Sequence, residues 1–227
     1  MKLEPPILVV GIPRSGSSMT AGMLWTCGAW VGVVSRDCPE RSTAFENLPV
    51  RDFITRPLLV SNGLSDTPQY NSLNRVMSDS CSVVLRRTVH SYMDSQGLAK
   101  DGVWLYKDAR LALMWPVWER AFPDALWVLV RRDLGAIARS CVQTAYMKAC
   151  DTFAEWYAWI ERYEELLYEI EQSVDRSCMI SPSKMLKGDF TESRRLVEGV
   201  GLQWNQEAVE KFLFGKEEHE DGESNSE

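Results

Sequence analysis

A chain of 227 residues can bury one substantial hydrophobic core, as one domain or as a domain with a lobe. Its net charge of −7 argues against wholesale binding to nucleic acid through a basic face. Six cysteines (Cys27, Cys38, Cys81, Cys141, Cys150, Cys178) form no C-x-x-C pair, and His90 and His219 stand far apart, so no metal-ligand spacing appears. The first apolar run is too short for a secretory segment, and none approaches the ~20 apolar residues of a membrane span. The expectation is a soluble, reduced, cytoplasmic protein.

In chain order, "ILVV" (7–10) is a continuous apolar run bounded by Pro6 and Gly11, which suits a buried parallel strand. After a glycine-rich turn, Met19, Met23, Leu24 and Cys27 recur at helical spacing, and Gly28 supplies a stop. Residues 35–100 are polar, with weak helix signals. "VWLY" (103–106) and "LWVLV" (126–130) are buried-strand candidates, each followed by a helical pattern, "LALMWPVWERAF" and "LGAIARSCVQTAYM". Between 153 and 170, Phe153, Trp156, Ile160, Tyr163, Leu167 and Ile170 line one helix face, opened by a capping box of Thr152 and Glu155. "SCMI" reads as a last strand, with helices near 191–199 and 205–214. Strands alternating with helices predict an α/β fold, a central parallel sheet with helices on both faces. Residues 1–214 form its single domain, and 215–227 an acidic, disordered tail.

The turn itself, "GIPRSGSSMT" (11–20), has the glycine spacing of a phosphate-binding loop between a strand and a helix. Backbone N–H groups and a helix N-terminus would face the anion there, and Ser15, Ser17 and Ser18 add hydroxyls. Arg14 adds a forked, permanently charged donor at the crest. A nucleotide-hydrolysing loop places a lysine where Ser17 stands, and an acidic residue commonly ends a neighbouring strand. Here two arginines, Arg131 and Arg132, end "LWVLV" instead. A cationic strand end at the carboxyl edge of an open sheet suggests a second phosphate.

"GIPRSGSS" followed by "VRRDLGAIARS" resembles the sulfotransferase family, which uses 3′-phosphoadenosine-5′-phosphosulfate (PAPS) and releases 3′,5′-ADP (PAP). The likeness is to bacterial-type members, with motif similarity to the tyrosylprotein branch, and spans residues 7 to 141. It implies a P-loop-like three-layer fold, an acceptor-side lobe and lid at about 35–100, and a 5′-phosphosulfate site at Pro13, Arg14, Ser15, Gly16, Ser17 and Ser18. A strand-end arginine with a serine eight residues later, here Arg132 and Ser140, implies the 3′-phosphate site. "YKDARL" (106–111) resembles the family's K-D-P-R stretch and gives Lys107 a contact to the sulfuryl group or leaving oxygen, with Arg110 structural. Leu134 and Ala109 stand where proline is common, and the Arg-Lys-Gly element of cytosolic animal members is absent.

Sulfuryl transfer is an in-line displacement in which negative charge grows on the oxygen bridging sulfur and phosphorus. Fixed cations and N–H donors stabilise that charge without a metal ion. The acceptor, a hydroxyl or amine on a small molecule, glycan or peptide, gives up a proton to a nearby base. Candidates are Glu46 in "STAFENLP", Asp37 and Glu40 in "SRDCPE", and His90 in "RRTVHSY". Glu46 is chosen over His90 because Phe45 and Leu48 flank it, and partial burial raises the proton affinity of a carboxylate. Trp115, Trp118, Trp156 and Trp159 fall in helical stripes and read as core. A small-metabolite kinase and a non-catalytic PAP-binding protein are the alternative readings, and the oligomeric state is open.

Overall fold

The computed structural model describes residues 4–34, 45–74, 76–77 and 82–215. Four short strands form its sheet: β1 (Ile7–Gly11), β2 (Leu105–Lys107), β3 (Leu126–Val130) and β4 (Ser177–Ile180). Their order is β2-β1-β3-β4, and every pairing is parallel. Ile7 lies opposite both Leu105 and Leu126, so β2, β1 and β3 run in register toward one carboxyl edge.

Alternation along the strands divides the core. Leu8, Val10, Tyr106, Trp127 and Leu129 face one side, and Ile7, Val9, Leu105, Val128 and Val130 the other. The first side packs on α4 (Ser82–Ser95), α5 (Leu111–Ala121), α6 (Leu134–Gln143) and α7 (Phe153–Ser173). The second packs on α1 (Ser17–Thr26), α8 (Pro182–Met185), α9 (Thr191–Gly199) and α10 (Gln206–Phe214). This is the expected three-layer α/β arrangement. Trp118 and Trp156 are fully buried, and Trp115 and Trp159 pack against the same core. Gly28 stops α1 at φ 104°, and the Thr152–Glu155 capping box opens α7. No helix among the described residues is long and apolar enough to cross a membrane.

Two stretches depart from the sequence reading. The polar region carries α2 (Leu48–Val50), a wide π turn over Arg51–Thr55, α3 (Arg56–Ser61) and the full-length α4. Leu85, Val89 and Met93, four apart, bury a narrow stripe of α4 against α5, too thin to stand out among its polar neighbours. The helical pattern expected to reach Met147 stops at Gln143, where Thr144 turns extended and its hydroxyl bonds the Ser140 carbonyl. The acidic tail, apart from Gly215, lies outside the described residues.

α1 and α10 approach at Gly22, where an added Cβ would stand inside the Phe212 ring. Overpacking of this kind costs about 1–3 kcal/mol, more than alanine's helix preference returns. Gly22→Ala should therefore lower stability in urea unfolding, and combining it with Phe212→Ala should cost less than the two single changes added together. A stabilised Gly22→Ala variant would mean that the helices do not meet there.

Candidate active site at the carboxyl edge of the sheet

β1 runs into the loop because Gly11 lets the chain fold back. A Cβ at this position would lie 2.7 Å from Ser15 Oγ and 2.8 Å from the Val130 carbonyl oxygen. The loop closes through Ser15 N–H donating to the Ile12 carbonyl, with Arg14 at φ 74° and Gly16 at φ 100°. Gly16 packs so tightly on Pro182 that a Cβ would stand 2.8 Å from that ring. As the N-cap of α1 it provides no side-chain cap, so the first N–H groups of the helix are left to another acceptor. Ser15 Oγ is buried and has no hydrogen-bond partner among the described residues. Ser17 is buried and Ser18 half-buried at the start of the helix. The donor set fits a phosphate group.

Next to this loop, Arg14 Nε donates to Ser140 Oγ at 3.1 Å, and its Nη1 to Tyr146 Oη at 2.8 Å. Arg132 Nη1 donates to the Arg14 carbonyl at 3.2 Å. Arg14 thus meets Arg132 and Ser140, which lie 118 and 126 residues further along the chain, at one place. Arg131 points away, held by Glu164 at 2.7 Å and Glu171 at 3.0 Å on α7. Of the strand-end arginine pair, only Arg132 bonds to the loop. Beside Ser140, burial pushes the Cys141 thiol up to about 12, against the weaker pull of Arg14, so it stays an unreactive thiol.

A second group occupies the end of β2. Lys107, 3% exposed, donates from Nζ to Glu46 Oε1 at 2.9 Å. Arg51 and Arg110 each hold a guanidinium nitrogen 3.6 Å from Glu46 Oε2. Asn47 fixes this stretch: its amide donates to the Val31 carbonyl and its Oδ1 accepts from Val50 N–H. Asp108, fully buried, accepts from Arg110 Nη1 and from Tyr106 Oη, both at 2.8 Å. Burial, then the Asp108 charge, push the Tyr106 phenol well above its ordinary value, so it acts as a donor and not as a base. Arg110 Nε reaches the Asp66 carbonyl.

His90 is elsewhere. Its ring packs on Phe122, past the end of α5 that lies opposite Arg110, about 16 Å of helix from the edge that carries Lys107. Burial, then Arg86, lower its proton affinity. The structure therefore does not bring His90 to this group. Asp37 and Glu40 lie outside the described residues. Sequence reasoning missed Arg51, hidden in the polar region, and Tyr146, assigned to a helix that ends before it. The described residues contain no cluster of three or more His, Cys, Asp or Glu side chains placed for a metal ion.

A glycine-bent loop, a strand-end arginine with its serine, and a buried lysine thus lie along one sheet edge. The sequence profile of the sulfotransferase family matches residues 5–206, and the chain belongs to that family. No curated protein sequence matches it. Its fold is similar to the sulfotransferase domain of the Synechococcus PCC 7002 olefin synthase, with TM-score 0.60 and 15% identity over 92% of this chain and 77% of that one. It is also similar to the sulfotransferase STF9 from Mycobacterium avium, with TM-score 0.56 and 14% identity over 92% of this chain and 67% of that one.

Removing Asp108 would leave the Arg110 guanidinium and the Tyr106 hydroxyl buried without their shared acceptor. Breaking a buried pair from one side costs about 3–5 kcal/mol. Asp108→Ala should lose stability on this scale in denaturant unfolding. A loss below ~1 kcal/mol, the range of an exposed pair, would contradict the buried cluster.

Proposed function

We propose that the protein transfers the sulfuryl group of PAPS to a hydroxyl or amine of its acceptor. The observation that carries this reading is the convergence of Arg14, Arg132 and Ser140 beside a loop fitted for phosphate. Such a donor carries anions at both ends of its ribose and needs two cationic subsites. The loop amides, with Ser15, Ser17 and Ser18, hold the 5′-phosphate. Arg132 and Ser140 hold the 3′-phosphate, and Arg14 stands between the two.

PAPS supplies a sulfuryl group already activated by its phosphoric anhydride. The chain supplies charge and proton handling. Arg14 and Lys107 are the cations that meet charge growing on the bridging oxygen, which is why no metal ion enters this reading. Glu46 accepts the acceptor's proton, and as its charge is lost Lys107 Nζ is released toward the leaving oxygen. Arg51 and Arg110 hold the carboxylate in place. The described part of the polar region forms the acceptor side, contributing Glu46, Arg51 and the Asp66 carbonyl.

The test is a comparison of PAP with 5′-AMP by calorimetry. A charged hydrogen-bonding pair without its anion forfeits about 1.5–3 kcal/mol, so AMP should bind roughly tenfold or more weakly. Arg132→Ala should erase most of the difference. Equal affinities for the two nucleotides in the unsubstituted protein would remove the PAPS reading.

A further inference from the structure

Tyr146 belongs to no motif, yet it makes the shorter of the two side-chain hydrogen bonds that hold Arg14. Its hydroxyl accepts from Arg14 Nη1 at 2.8 Å, and the guanidinium carbon stands 5.9 Å from the ring centroid. The residue is 40% exposed, so core packing does not account for its place. It arrives there because α6 breaks at Thr144 and the chain turns back over the loop.

Buried Gln69 holds that turn. Its Nε2 donates to the Tyr146 carbonyl at 2.9 Å, and its Oε1 accepts from the N–H groups of Lys148 at 2.7 Å and Ala149 at 3.1 Å. Three of the four hydrogen-bonding positions of one amide are thus spent on neighbouring backbone groups. Gln69 sits on the short turn Pro68–Tyr70, itself tied by Asn71, whose side chain bonds the backbone of Ser65 at both its N–H and its carbonyl. The same segment provides the Asp66 carbonyl for Arg110. One stretch of chain thus braces the arginine of the phosphate loop and the arginine beside Glu46.

An arginine on an uncapped loop has many rotamers, and fixing one of them costs entropy at the moment of binding unless it is fixed beforehand. Arg14 is held on a backbone at positive φ, which a non-glycine residue keeps only where its surroundings impose it. We propose that Tyr146 is a positioning residue for Arg14: its hydroxyl and ring, fixed by Gln69, hold the guanidinium against Ser140 before the donor arrives. This rests on the donor-site reading above.

Tyr146→Phe keeps the ring and removes the hydroxyl, with no change expected in thermal stability. PAP affinity, read by calorimetry, should fall roughly three- to tenfold, the net effect of one lost hydrogen bond at a partly exposed site. In an Arg14→Ala background the same substitution should change PAP affinity by less than about twofold, because the group it positions is gone. Equal losses in both backgrounds, or no loss in the unsubstituted chain, would overturn the positioning role while leaving the donor site intact. Failure of the unsubstituted chain to bind PAP would overturn the donor-site reading, and this role with it.

Discussion

Burying the ammonium of Lys107 is the constraint on which the rest of this edge depends. Taking such an ion out of water costs several kcal/mol unless a counter-charge comes with it. The register of β2 leaves Lys107 at the strand's carboxyl end, where it is only 3% exposed. Glu46 is that counter-charge, carried across the sheet edge by a stretch that Asn47 locks to the Val31 carbonyl. The second oxygen of Glu46 then draws in Arg51 and Arg110, and Arg110 in turn requires Asp108. Each charge is tolerated because the next is present.

The loop side of this edge is built by a different constraint, the close approach of backbones. Gly11 admits Ser15 and the end of β3, and Gly16 admits Pro182. The loop is pressed against the residues that follow β3, so Arg14 lies within reach of Ser140 and Arg132. Ion pairing organises one half of the site and steric contact the other. The turn around Gln69, with the Asp66 carbonyl, is where the two halves touch a common support.

The strands could be read from sequence because each is a short apolar run between breakers: "LWVLV" is β3 residue for residue, and "SCMI" is β4. The loop was legible for a similar reason, since its glycines and serines are local demands of one turn. Arg132 and Ser140 could be named through the family resemblance, and the structure keeps them on a single strand-to-helix connection. Partners from distant segments could not be named. Nothing in "VRRD" tells that Glu164 and Glu171 on α7 take Arg131, or that only its neighbour reaches the loop. Tyr146 looked helical because "TAYM" continues the apolar period of α6, whereas Gln69, nearly eighty residues earlier, holds it in a turn. His90 was a candidate by chemistry alone, and topology sends α4 to pack it at the opposite end of α5.

In the proposed reaction the acceptor reacts beside Glu46, with Lys107 released as the proton leaves. The most direct measurement is transfer of sulfur-35 from labelled PAPS into acceptors of a host extract by the unsubstituted protein and by Glu46→Gln, with PAP affinity measured in parallel. Glutamine keeps the volume of the side chain but cannot take the proton at this position. PAP should bind both proteins alike, while labelling by the variant falls by about 10²–10⁴, the contribution of a positioned base. Labelling at an undiminished rate by Glu46→Gln would contradict the account.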